Sequence, residues 1–406
     1  MKAFKRVLAV VLSLVMVLSL TCTAFAGSDY STPSMDRLKF DSKGNFRILQ
    51  LADCQDGMLP RYGMIEFIKK ALEKYKPDLV VFTGDNTTSI GTELEAKMAI
   101  EAIIDPVAEA GVPFTFVFGN HDAEDVSKEY HYSIYTQYSN CMAYDADPDM
   151  YGMGTHNLPI YASDNSKVVF NLWMFDSNMY NETDGGYDHI HEDQLQWYVD
   201  ASNVLKAQNG GEPVPSLTFQ HIVPNEALDY ILVSDTAVEN GYESDGKWYY
   251  LDPEYAEKGS ILQERPCPGT VDSMQMELFA QQGDVLGVFV GHDHVNDYII
   301  NTTLKNAKGE SIDIVNTPGA TFSSYGNEQM RGCRIIDISE KDTWTYKTEA
   351  LTFFDVMGDT EETRIMSYFS REIGWWYVAK VLEFIPEIGP ALAEGFLKLV
   401  YTLAHL

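Results

Sequence analysis

Five times in this chain a short apolar run, rich in β-branched residues, stops at a cluster of polar side chains able to hold a cation. Phe46–Ala52 ends in Asp53-Cys54-Gln55-Asp56-Gly57, Leu79–Thr83 in Gly84-Asp85-Asn86, and Pro113–Phe118 in Gly119-Asn120-His121-Asp122. Pro215–Phe219 ends in Gln220-His221, and Val285–Val290 in Gly291-His292-Asp293-His294. Helical spacing fills the gaps between the first three: Met64, Phe67, Ile68, Ala71 and Leu72, closed by Lys76-Pro77, and then Leu94–Ala110. Strand, polar cluster and helix in succession specify an α/β sheet, and such sheets collect their ligands at the carboxyl ends of the strands.

The remaining segments fit around that frame. Val168–Phe175 reads as a strand ending in Asp176-Ser177, followed by a helix through Leu195, Trp197, Tyr198 and Val204; Met274–Gln282 reads as a short helix. Residues 123–166 lack periodicity and read as a loop-dominated insertion. Residues 225–269, acidic and rich in Tyr, read as a second, and together the two would roof the mouth of a site. Alternating segments at 298–303, 312–317, 333–338 and 344–348 read as antiparallel strands of a second sheet. From Ile365 the composition shifts to two short amphipathic helices, expected to pack as a final layer. Their aromatic load also suits a peripheral membrane or protein contact. No apolar span of 18 residues is present there, which argues against a transmembrane segment.

The first 26 residues read as a secretory leader rather than as fold. Lys2, Lys5 and Arg6 precede the apolar stretch Val7–Leu20, and Ala24-Phe25-Ala26 offers a cleavage site after Ala26. The expected location is therefore extracellular. The formal net charge of −31 becomes −34 once those three cations leave with the leader. A chain so acidic repels polyanions, which argues against a nucleic-acid partner. A small phosphorylated substrate stays compatible, because bound divalent cations reverse the local field. Cys54, Cys141, Cys267 and Cys333 remain after cleavage; their spacing fits no zinc knuckle, and both disulfides and free thiols are open.

Collected, the strand-end residues are Asp53, Asp85, Asn120, His121, His221, His292 and His294. Two adjacent cations repel and need an anionic bridge, for which Asp85 is the natural choice. Mixed imidazole and carboxylate donors suit Zn, Fe or Mn rather than Ca or Mg. A pair of such ions can activate a shared hydroxide and clamp a phosphoryl oxygen. His131, His156, His189, His191 and His405 match no motif and read as surface or packing residues.

The ordered series D-x-[HQ], G-D-N, G-N-H-D, a lone His after a strand, and G-H-x-H resembles the calcineurin-like metallophosphoesterase superfamily. The ending G-H-D-H-V-N-D, with the later T-P-G and R-G-C-R-I-I, more narrowly resembles its purple-acid-phosphatase-29-like branch. The resemblance implies a four-layer α/β/β/α sandwich of two mixed sheets over residues 27–350, with residues 351–406 as a C-terminal helical extension. It implies two divalent metal ions, one held by Asp53, Asp85 and His294 and the other by Asp85, Asn120, His221 and His292. It also implies His121 as the acid that assists the leaving group, with Asp122 orienting its ring. Gln55 stands where the family pattern has His, and an amide oxygen is a weaker, neutral and harder ligand. Thr88 stands where purple phosphatases carry the tyrosinate of their iron, so no purple ferric centre is expected. The implied activity is a secreted phosphoesterase, cleaving mono- or diesters by metal-activated hydroxide. The rival is a catalytically weak metal-binding or interaction protein on the same scaffold.

Overall fold

Alternation along the strands decides which of their faces is buried, and here both faces are apolar, so each sheet needs a layer on either side. The computed structural model describes residues 37–405 except 89, 384, 386 and 387. The expected leader, residues 1–26, lies outside the described residues.

In chain order the first half contains β1 (Asn45–Leu51), α1 (Tyr62–Tyr75), β2 (Leu79–Thr83), α2 (Glu93–Glu109), β3 (Phe114–Val117), α3 (Lys128–Tyr135), β4 (His156–Tyr161), β5 (Val168–Met174), α4 (Glu192–Gln208) and β6 (Ser216–Phe219). The second half contains β7 (Ile231–Ser234), β8 (Tyr242–Ser244), β9 (Lys247–Leu251), β10 (Ile261–Leu262), α5 (Gln275–Gln282), β11 (Val285–Val290), β12 (Asn296–Lys305), β13 (Ser311–Asn316), β14 (Gly332–Ser339) and β15 (Asp342–Thr352). The helices α6 (Phe353–Met357), α7 (Glu361–Arg371), α8 (Ile373–Glu383) and α9 (Gly389–Ala404) close the chain.

One sheet has five strands in the order β15-β14-β1-β2-β3 and the other seven in the order β10-β12-β13-β11-β6-β5-β4. In the five-stranded sheet β1, β2 and β3 run parallel and are joined on one side by antiparallel β14 and β15; in the seven-stranded sheet a parallel centre of β5, β6, β11 and β13 is flanked by antiparallel strands. Phe46, Ile48, Val81, Ile336 and Ile338 of the first sheet meet Leu172, Leu217, Phe219, Phe289 and Val315 of the second in a dry central layer. The outer face of the first sheet packs on Met64, Phe67 and Ile68 of α1 and Ile100, Ile103 and Val107 of α2. The outer face of the second packs on Leu195 and Tyr198 of α4 and Met276 and Phe279 of α5. The result is the four-layer α/β/β/α sandwich, with Arg334 of β14 lying between the sheets near the site. Arg334 donates to Thr317 Oγ1 at 2.9 Å and Asn316 O at 2.9 Å and pairs with Asp297, while Thr317 donates to Gln50 Oε1 at 2.8 Å.

Three expectations change. The strands beyond residue 298 do not form one sheet: β12 and β13 join the seven-stranded sheet, whereas β14 pairs antiparallel with β1 in the other. Residues 123–166 include α3 and β4, with Ile134 and Tyr135 of α3 in the core. Residues 225–269 include the separate three-stranded sheet β7-β9-β8. Cys54, Cys141, Cys267 and Cys333 are free thiols. In the C-terminal region α6 puts Phe353 and Val356 into the core. Helix α7 lies on α1 rather than on the sheet, where Gly63 N donates to Ser370 Oγ at 2.8 Å. Leu392, Leu399 and Leu403 of α9 are exposed. Among the described residues no helix is long and apolar enough to cross a membrane.

Candidate metal centre

The parallel strands of both sheets point their carboxyl ends the same way, and the five polar clusters meet there. Asp53, Asp85 and His292 all take positive φ, at 51°, 47° and 74°. These sharp turns swing the side chains off the strand axis, and backbone strain of this kind persists only where the surroundings hold it. The neighbouring glycines make room. A Cβ on Gly119 would lie 2.2 Å from Asp85 Oδ1, and one on Gly291 would lie 2.6 Å from Asp53 Oδ2.

Two donor sets result. Asp85, His221 and His292 form one, and Asp53, Asp85 and His294 the other, with the donor atoms of each set within 4.8 Å of one another and all residues buried. Asp85 belongs to both. His221 Nε2 lies 3.3 Å from Asp85 Oδ2, 3.2 Å from Asn120 Oδ1 and 3.2 Å from His292 Nδ1, so Asn120 joins the first set. His294 Nε2 lies 3.4 Å from Asp53 Oδ1. The outer ring nitrogens are anchored: His221 Nδ1 donates to Thr83 O at 3.0 Å and His294 Nδ1 to Tyr325 O at 2.9 Å. Such anchors fix the orientation of each ring and aim Nε2 at the site.

The electrostatics fit a cation. Burial presses His221 down, but the charge and hydrogen bond of Asp85, with the charge of Asp53, carry it up to about 10. His292 is pressed down to about 3 by burial and then by the charge of His221. Burial raises the Asp85 carboxyl, yet the charge and hydrogen bond of His221, with His121 and His292, outweigh it and hold the group below its usual range. A proton held between facing nitrogens and a carboxylate is what a divalent ion displaces on binding. Among the buried side-chain atoms without a hydrogen-bond partner are Gln55 Oε1 and His292 Nε2, both at this centre. Buried polar atoms are rarely left so without a ligand to meet.

A family model for the calcineurin-like phosphoesterase matches residues 46–296, which hold all five polar clusters. The chain belongs to this family. Its relatives include "Probable inactive purple acid phosphatase 29" of Arabidopsis thaliana, 28% identical over 77% of this chain and 82% of that protein. "Probable inactive purple acid phosphatase 14" of the same plant is 26% identical over 71% and 74%. "Phosphatase DCR2" of Saccharomyces cerevisiae is 26% identical over 68% of this chain and 48% of its own length. The chain thus sits in the purple-acid-phosphatase-29-like branch of the calcineurin-like phosphoesterases.

Within this calcineurin-like site one residue stands elsewhere than expected. Asp122 does not meet the ring of His121: its Oδ1 accepts from Asn86 N at 2.8 Å and Thr87 N at 2.9 Å, and its Oδ2 from Gly119 N at 2.8 Å. A carboxylate with three backbone donors to satisfy locks the β2 and β3 loops together instead. The partner of His121 is Glu124, whose Oε1 lies 2.9 Å from Nδ1. Tyr180 donates to the same Glu124 oxygen at 2.8 Å and accepts from Asn120 Nδ2 at 3.0 Å, which turns the oxygen of that amide toward His221. Tyr187 meets the ring of His292 edge-on at 4.3 Å, and Tyr325 stacks on His294 at 4.2 Å. None of Glu124, Tyr180, Tyr187 and Tyr325 carries a motif; only the i, i+3 spacing of His121 and Glu124 was a usable signal.

Proposed function

We propose that this chain is a secreted phosphoesterase that holds two divalent cations, Mn, Zn or a mixed pair, and hydrolyses phosphate mono- or diesters. The observation that carries the reading is the sharing of Asp85 by two buried donor sets. Asp85 and the two donor sets it joins would hold the cations, which when bound would supply positive charge to the phosphoryl oxygens and lower the pKa of a water. Asp53, Asp85, Asn120, His221, His292 and His294 would hold them, with Gln55 Oε1 as a further donor. His121 is half-exposed at the rim, its Nδ1 taken by Glu124. Its Nε2 is left to give a proton to the departing alkoxide, and Glu124 balances the imidazolium charge. Asn120, its amide set by Tyr180, and the tightly packed rings of His221 and His294 need no rearrangement to orient the phosphate. Secretion rests on the leader pattern at residues 1–26.

A weaker reading, a cation-binding scaffold with little turnover, is favoured by Gln55 and by the word inactive in the names of the plant relatives. Chromogenic phosphate mono- and diesters, assayed with Mn or Zn restored to the stripped protein, separate the two. Metal-dependent turnover lost in Asp85→Asn supports the enzyme; cation binding with no turnover on either ester supports the scaffold.

A further inference from the structure

We infer that Asp188, His189 and His191 form a third cation site, suited to zinc or a similar borderline dication, that fastens the loop 179–188 over the candidate centre. The triad shares no residue with the two sets joined by Asp85, so it stands or falls independently of the function proposed above. Its three donors lie within 4.8 Å of one another, and the Asp188 carboxylate is almost wholly buried. Asp188 Oδ1 is 2.9 Å from His189 Nδ1 and 3.1 Å from His191 Nε2, and Oδ2 is 3.3 Å from His191 Nε2.

Hydrogen bonding alone does not account for this arrangement. His189 Nδ1 is buried and has no hydrogen-bond partner, although the anion is beside it. The two imidazoles lie face to face at 4.5 Å and 15°, and Tyr151 covers the other face of His191 at 3.6 Å. Two imidazolium ions stacked in this way would repel. One dication satisfies both nitrogens and the carboxylate together. Two imidazoles and a carboxylate match zinc, cobalt or nickel rather than calcium or magnesium, and three protein donors leave a position for water. His191 immediately precedes α4, whose positive end opposes a cation; Glu192 and Asp193 in its first turn offset that field. All three ligands come from one tetrapeptide, Asp188-His189-Ile190-His191, so little chain entropy is lost on closing the chelate.

The location gives the site its consequence. Asp188 closes the loop, its N–H donating to Met179 O at 3.2 Å, just outside the Tyr180–Tyr187 bridge. Those two tyrosines are the loop's contacts with Asn120, Glu124 and His292. A cation on Asp188 therefore pins the base of the segment that orients Asn120.

The test is zinc stoichiometry of the full-length, metal-stripped protein, followed by calorimetry and by amide exchange of residues 179–188. Wild type is expected to take one equivalent more than His189→Ala/His191→Ala. Combining Asp85→Asn, His292→Ala and His294→Ala is expected to leave one, giving with cobalt a visible band that His191→Ala then abolishes. Zinc is expected to slow exchange in the loop of the wild type. A wild type and a His189→Ala/His191→Ala variant that saturate at the same number of equivalents, a combined variant that binds none, or loop exchange unchanged by zinc overturns the proposal. The combined variant keeps the triad intact, so the answer does not depend on whether the histidine variants fold.

Discussion

Gln55 donates from Nε2 to Asp85 Oδ2 at 3.3 Å, and its own Oε1 is buried with nothing to accept from. The amide therefore already lies against the carboxylate common to both donor sets, with its free oxygen as the only atom it can offer a cation. A neutral amide oxygen holds Zn or Mn less firmly than an imidazole nitrogen. Gln55→His is expected to retain the cation at the Asp53 side more tightly, by roughly tenfold, the lower end of what one partner at a metal site is worth. Gln55→Ala should lose it more readily than wild type. Metal content after dialysis against a weak chelator reads the order directly. If the two variants retain equal metal, Gln55 lies outside the coordination and the argument from its free oxygen fails.

His121 and Glu124 make a second case, because a group that protonates the leaving oxygen matters most when that oxygen leaves poorly. His121→Ala is expected to lower kcat by about 10²–10⁴-fold with an alkyl phosphate. The loss should be much smaller with a nitrophenyl ester, and metal content should stay unchanged. Glu124→Gln should fall between wild type and His121→Ala with the alkyl substrate. An equal loss on both substrates would instead mean that His121 only positions the phosphate.

Gly119 bears on the centre through space alone. A methyl group there would stand 2.2 Å from Asp85 Oδ1 and 2.3 Å from Asp85 N, and neither the carboxylate, held by the N–H of His121 at 2.8 Å, nor the backbone can yield. Gly119→Ala is expected to fold with a loss of roughly 1–3 kcal/mol, the usual cost of overpacking. It should strip both donor sets of metal affinity together, because Asp85 serves both. Calorimetric titration showing one set weakened and the other intact would contradict the shared role of Asp85.

The ligand clusters were legible in the sequence because each is local: a buried strand, a turn and the donor follow one another within a few residues. Register between strands is not local. Alternation at Ile336 and Ile338 tells that one face of β14 is buried, but not that β1, nearly 300 residues earlier, is its neighbour. Contacts such as Tyr180 with Glu124 were hidden for the same reason. Both are common residue types, and their pairing depends on where the loops after β3 and β5 fold back. Helix α3 was missed because Tyr and His occupy its buried positions alongside Ile134, which blurs an apolar period in a Tyr-rich stretch. The family resemblance implied Asp122 as the carboxylate behind His121, whereas its oxygens turn back to the backbone of two loops.

Away from the centre, Asp313 gives a prediction for stability. Burial pushes its carboxyl up to about 6, against the hydrogen bonds of Tyr346 and Ser311, and burial does the same at Asp284, against those of Tyr198 and Ser202. In the unfolded chain both titrate near 3.9. Between roughly pH 4 and pH 6 the native state therefore keeps protons that the unfolded state has released. The stabilisation from these two groups is complete below about pH 4 and is lost as pH rises through about 6, on the order of a few kcal/mol in total. Asp313→Asn keeps an acceptor for the Tyr346 hydroxyl, 2.6 Å away, and removes the titration. Urea midpoints measured in chelator at pH 4, 5, 6 and 7 should therefore fall more steeply for wild type than for Asp313→Asn across that window. The two curves should run parallel above pH 7, where the group is ionised in both states. Parallel curves over the whole range would show that Asp313 titrates normally in the folded chain.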